Sequence, residues 1–139
     1  GTVFEKLNKV IKENNLINKV FFHGQQENPD TFLISSDIAL LTTDEEGFSN
    51  SILEYLNFSL PVIATNIGGN SESIRNNVNG FLVEKGNYKE LSEKIIYLFD
   101  NPNIRKRMGE EGYRIVSQHF TIDKCIKEYK NLYNELIRN

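Results

Sequence analysis

One cysteine, Cys125, stands in the 139 residues, so no internal disulfide can brace this chain. A chain without a disulfide framework is compatible with a reducing cytoplasm, the expected location, without requiring it. No apolar stretch approaches the ~20 residues that a membrane-crossing helix needs, and no signal-peptide pattern is visible. Charge of one sign is also missing. Sixteen Lys and Arg against nineteen Asp and Glu leave a net charge of −3, with both signs mixed along the chain. That mixture makes no field to attract nucleic acid or an anionic membrane. The two histidines, His23 and His119, are far apart, and neither has a Cys or His at metal-ligand spacing. There is no internal repeat and no low-complexity linker, and the length fits one domain with a substantial core.

What is present alternates. Four short apolar runs, Val20–Phe22, Ile38–Leu41, Val62–Thr65 and Phe81–Val83, read as buried parallel strands. Helical patterns stand around them. The first helix carries Leu7, Val10 and Ile11 and runs to Asn14-Asn15, a short one follows Pro29, another spans Ser49–Asn57, and a further short one lies near Ser71–Arg75. From Tyr88 onward the chain is helical, broken at Asn101-Pro102 and again near His119-Phe120. The last helix gathers Ile122, Cys125, Ile126, Tyr129, Leu132, Tyr133 and Leu136 on one stripe. Short Gly- and Asn-bearing connections suit βα units. The expected fold class is α/β, a Rossmann-like parallel sheet with helices on both faces and C-terminal helices over 88–139. The chain opens on a helix where such a sheet normally opens on a strand, so the sheet is expected to lack its first strand.

Glu46 and Glu54 bracket Gly47-Phe48-Ser49-Asn50-Ser51-Ile52-Leu53 between the second and third runs. That places them in a strand-to-helix loop and the helix after it, on the sheet edge where open α/β folds bind ligands. With Ser49 or Asn50 as N-cap, the first amide N–H groups point outward, and a phosphate fits there. Glu54 lies about one turn inside, and its side chain leans back toward the helix start. Ionised carboxylates only accept hydrogen bonds, so a ligand offering hydroxyls beside a phosphate answers both features. A phosphorylated sugar or nucleoside is such a ligand.

The segment Glu46-Gly47-Phe48-Ser49-Asn50-Ser51-Ile52-Leu53-Glu54-Tyr55, with Leu60-Pro61-Val62-Ile63-Ala64-Thr65, Gly68-Gly69-Asn70-Ser71-Glu72, Asn79-Gly80-Phe81-Leu82-Val83 and Val20-Phe21-Phe22-His23-Gly24, resembles the donor-binding half of family 4 retaining glycosyltransferases (glycosyl transferases group 1). The likeness runs through essentially the whole chain in the family's order. It implies the C-terminal half of a GT-B fold, two Rossmann-like domains facing across a cleft. By the same resemblance, Glu46 is the catalytic-site residue and binds a hydroxyl of the transferred sugar. Glu54 holds the ribose hydroxyls. Gly47 and the backbone amides of Phe48, Ser49, Asn50 and Ser51 hold the sugar and diphosphate, and the Gly24-Gln25-Gln26 turn borders the base. The implied reaction is transfer of a sugar from a nucleotide diphosphate sugar to an acceptor hydroxyl with retention, in polysaccharide or glycolipid synthesis. No cofactor and no metal are expected. The expected partners are the nucleotide-sugar donor and an absent N-terminal acceptor-binding domain, through which any contact with the inner face of the membrane would run. Ser49-Asn50 replaces the family's usual Gly and apolar residue, and the basic Gly-Arg-x-x-x-x-Lys-type segment is missing. The fragment alone is therefore expected to be inactive.

Other residues carry blander readings. Asp44-Glu45-Glu46 reads as a solvated acidic loop rather than a metal site. His23 is a packed or capping histidine or else lines the nucleotide pocket, and His119 is structural. Cys125 reads as a small core residue. Gly68-Gly69 allows a tight turn or close approach to a ligand. Glu72 is read as capping its short helix, and Arg105-Lys106-Arg107 as a solvated face. Two other functions fit in part. One is a non-catalytic nucleotide-sugar-binding module. The other is a phosphoacceptor receiver with Asp44, Thr65 and Lys85 at its strand ends. A receiver also needs an acidic pair after its first strand, where this chain has His23-Gly24.

Overall fold

A computed structural model describes residues 2–138. Helix α1 (Thr2–Glu13) is followed by α2 (Asp30–Ile34), β1 (Ala39–Leu41), α3 (Asn50–Asn57), β2 (Val62–Thr65), α4 (Asn70–Ser73) and β3 (Gly80–Val83). Helices α5 (Tyr88–Asp100), α6 (Pro102–His119) and α7 (Ile122–Arg138) complete the chain. The strands form one parallel sheet in the order β1-β2-β3, with Ala39 opposite Val62 and Val62 opposite Gly80.

The central strand explains the layering. All four residues of β2 are buried. Alternate side chains of a strand point to opposite faces, and the two faces carry separate cores. Val62 and Ala64 join Ile52, Leu56, Leu60, Ile74 and Val116. Ile63 joins Phe81, Val83, Leu98 and Met108 on the other side. Helices therefore cover both faces, as the near-continuous apolar strand runs predict. Ile52 and Leu56, one turn apart on α3, are fully buried, each contributing about 1.5–3 kcal/mol. Opposite them, Gly109 and Gly112 on α6 let that helix approach the α3–β2 segment closely.

The helix ends follow their sequence signals. Asn87 caps α5, its side chain accepting from the Glu90 N–H at 3.1 Å while its own amide donates to the Glu90 carboxylate, a reciprocal cap. Pro102 opens α6, where its fixed φ costs nothing. Arg105 is not part of a solvated face. Its guanidinium donates to the carbonyls of Leu98 and Phe99 at the end of α5 and pairs with Asp37 at 3.1 Å. Unsatisfied C-terminal carbonyls attract such a cation.

One expected strand is absent. Val20–Phe22 is irregular and exposed, so the sheet has three strands rather than about four. A strand exists only through its ladder partners, and among the described residues none runs beside this segment. Phe22 instead meets Phe4 of α1 edge-on, with ring centroids 5.0 Å apart. Both α1 and α7 keep apolar residues exposed, including Phe4, Leu7, Ile126 and Tyr129. Cys125 is likewise exposed rather than in the core, because its helix stripe lacks a covering element among the described residues. No described helix is long and apolar enough to cross a membrane.

Candidate functional site

Three loops meet at the C-terminal edge of the sheet. The first, from β1 to α3, carries Asp44-Glu45-Glu46-Gly47-Phe48-Ser49. Ser49 is the N-cap of α3, with extended backbone (φ −92°, ψ 108°), and its buried side chain makes no capping hydrogen bond. The amides of the first turn are thus left to other acceptors, the condition under which a helix start holds an anion. Glu46 precedes α3 by four residues and is half-buried, while Glu54 is the fifth residue of the helix and exposed. At 1.5 Å per residue, Glu54 stands about 6 Å along the axis from the helix start.

The second loop fixes the first. The Gly69 N–H donates to the Gly47 carbonyl at 2.6 Å. The Thr65 hydroxyl, at the end of β2, donates to the Thr43 carbonyl at 2.9 Å and accepts from the Thr43 N–H at 3.3 Å. Gly68-Gly69 is therefore the brace for the Glu46 loop, and its tight approach is to that backbone. Fully buried Asn70 ties the same turn together by donating to the Thr65 carbonyl at 2.9 Å. Sequence reading gave Thr65 and Asn70 no part in this site; side-chain hydrogen bonds to a distant loop leave no periodic mark.

The third loop follows β3. Lys85 reaches across to the first, its Nζ 3.4 Å from the Asp44 carboxylate and 3.2 Å from the Asp44 carbonyl. Neighbouring Glu84 accepts a long hydrogen bond from the Asn66 amide at 3.4 Å. Among the described residues, no three His, Cys, Asp or Glu side chains converge to hold a metal.

Phe48 is half-exposed and rests against Phe120, with centroids 5.8 Å apart. Together with Leu53, Ile122 and Cys125 they line a shallow groove of about 470 Å³ at the α6–α7 elbow. Gly24 lies in exposed coil with φ +65°. Gly47, Phe48, Ser49, Asn50 and Ser51 thus stand with Glu46 and Glu54 along the loop and first turns of one helix, while Gly24 lies in a separate coil segment before α2. His23 is exposed, its ring tilted by 51° against that of Phe32 with centroids 4.5 Å apart. Glu72 is exposed and makes no capping bond, since Gly69 is the N-cap of α4. His119 ends α6, with its Nδ1 3.4 Å from Lys124 Nζ.

Comparison with known proteins bears on the family and the fold. The family model described as glycosyl transferases group 1 matches residues 1–115. The chain is 28% identical to the N-acetyl-alpha-D-glucosaminyl L-malate synthase of Bacillus anthracis over all its length, and covers 36% of that protein. It is 28% identical over 96% of its length to the poly(ribitol-phosphate) alpha-N-acetylglucosaminyltransferase of Staphylococcus aureus, of which it covers 27%. It superposes on Anabaena HepE, solved in complex with UDP, with a TM-score of 0.90 and 25% identity, covering 95% of this chain and 36% of that one. The chain thus spans about a third of the relatives it matches. Its parallel sheet between two helical layers is the fold of GT-B glycosyltransferase structures, and the chain belongs to the glycosyl transferases group 1 family.

Proposed function

We propose that this chain is the donor-binding part of a retaining, family 4 glycosyltransferase. The intact protein would move a sugar from a nucleoside diphosphate sugar to an acceptor hydroxyl, in the synthesis of a polysaccharide or glycolipid. The observation that carries this reading is the helix start at Ser49, whose side chain does not cap it, set between two carboxylates. The first-turn amides would take the diphosphate. Glu54 would accept from the ribose hydroxyls and Glu46 from a hydroxyl of the sugar. The UDP found in HepE and the N-acetylglucosaminyl groups in the names of the two relatives support a nucleotide sugar.

Catalysis in this reading rests on positioning and on charge. The bond from the anomeric carbon to the diphosphate breaks, and the departing negative charge meets amide donors already in place. The acceptor hydroxyl attacks the same face and passes its proton to the departing diphosphate oxygen as the bond forms. An N-terminal domain beyond this chain would bind the acceptor and carry any membrane contact, and the activity would be cytoplasmic. No metal is given a role.

One contact also meets a demand of the receiver reading, since Lys85 does touch Asp44. That reading leaves Glu54 and the α3 start without work, and the family match over residues 1–115 opposes it.

Titration of the chain with UDP, GDP and UDP-sugars, followed by NMR or calorimetry, tests the proposal. Binding selective for one base is expected, weakened roughly tenfold or more in Glu54→Ala by loss of charge-assisted bonds. Selective binding that Glu54→Ala leaves unchanged would overturn the site.

A further inference from the structure

The acidic first loop poses an electrostatic problem for the donor site. Asp44, Glu45 and Glu46 place three carboxylates in sequence beside the helix start that the diphosphate would approach. Like charges within a Debye length of about 8–10 Å repel at ordinary salt. Of these three residues, only Asp44 has an ion-pair partner among the described residues, and that partner is Lys85.

Lys85 is placed to act on that loop from outside it. It follows β3, at the far edge of the sheet, and reaches past β2 to the loop after β1. It holds that loop twice, through the Asp44 carboxylate and through the Asp44 carbonyl. The second bond is to backbone, two residues before Glu46. It constrains the loop's path as well as its charge. Gly69, bonded to Gly47 one residue beyond Glu46, holds the other side. Glu46 therefore sits between two anchors that come from different strands.

Stability is a poor reason for the contact. The Lys85 and Asp44 side chains are 53% and 85% exposed, and ion pairs so open to water add little to folding. Their value lies in where the ammonium is held. The geometry points to Lys85 as a positioning residue of the donor site, which fixes the Asp44–Glu46 loop and offsets its charge so that a diphosphate can approach the α3 start. This rests on the donor-binding reading and extends it to a residue outside the glutamate-bearing segment.

The test compares the 139-residue chain with Lys85→Met and Lys85→Arg, using UDP and the uncharged nucleoside uridine as probes. Lys85→Met should weaken UDP about three- to tenfold at low salt, and less at high salt, because screening removes the difference. Uridine binding should not change, and Lys85→Arg should restore UDP. Equal UDP affinities for wild type and Lys85→Met would overturn the electrostatic role while leaving donor binding intact. If the wild type binds neither probe, donor binding itself fails. Amide exchange in the unliganded chain then decides the positioning role alone. Faster exchange at Gly69, whose N–H is bonded to Gly47, is expected in Lys85→Met and unchanged exchange would refute it.

Discussion

The N–H of Gly69 points at the carbonyl of Gly47 from 2.6 Å, closing the loop after β2 onto the loop that carries Glu46. Neither glycine of that turn has room for a side chain. A Cβ on Gly68 would stand 1.6 Å from the Glu46 carbonyl oxygen, and one on Gly69 would stand 2.4 Å from that of Gly47. Both obstacles are backbone, which cannot rotate aside.

Gly68→Ala should therefore move the Glu46 loop. Its φ of +48° adds left-handed strain of about 1–2 kcal/mol, and the clash adds more. Denaturant titration should show a loss of about 2–4 kcal/mol, with amide shifts at Glu45 to Phe48. Gly24→Ala is the control, with φ +65° and nothing within 4 Å of the new Cβ. It should cost only the strain and leave Glu46 undisturbed. Equal losses in the two variants would mean that the close approach is unimportant.

Two glycines on α6 give a second contrast. Alanine in a helix interior gains about 1 kcal/mol over glycine. At Gly112 the new methyl meets the Leu56 Cδ2 atom at 2.6 Å, the end of a flexible side chain. At Gly109 it meets the Ser59 carbonyl oxygen at 1.9 Å, which is backbone. Gly109→Ala should destabilise by about 2 kcal/mol or more, and Gly112→Ala by clearly less. The reverse order in chemical denaturation would show that α6 and the α3–β2 turn can slide apart.

Helix α7 leads to a third expectation. Ile122, Ile126, Tyr129, Tyr133 and Leu136 are all exposed along it, and apolar stripes of this kind drive association. The isolated chain should self-associate at high concentration, and Ile126→Glu with Tyr129→Glu should reverse this. A strictly monomeric sedimentation profile for the unaltered chain would contradict it.

A chelator supplies a fourth. With amides and hydroxyl-binding carboxylates providing the contacts, EDTA should leave UDP affinity unchanged. A tenfold loss, restored by a divalent cation, would assign the acidic loop to metal after all.

Much of the layering was legible beforehand for a local reason. Val62-Ile63-Ala64-Thr65 is apolar without alternation, which only a strand buried on both faces tolerates. Ile52 and Leu56 repeat at helical spacing, and Asn101-Pro102 breaks a helix by stereochemistry that needs no neighbour. The same holds for the α3 start, since Ser49 and the glutamates on either side lie within nine residues of one another. The sequence by itself thus determined the order of elements from β1 onward, the helix breaks and the segment that carries the candidate site.

Tertiary structure decided what depends on distant partners. Val20-Phe21-Phe22 has the composition of a strand but no adjoining ladder, and remains exposed coil. Cys125 has the spacing of a core residue but no described element to cover it. Arg105 looked like part of a charged surface until α5 ended with its carbonyls beside it. Lys85 and Asp44 are forty-one positions apart, and only parallel strands that bring their C-terminal ends to one edge could join them. Hydrophobic periodicity reports which face of an element seeks burial; which neighbour arrives is a property of the whole chain's packing.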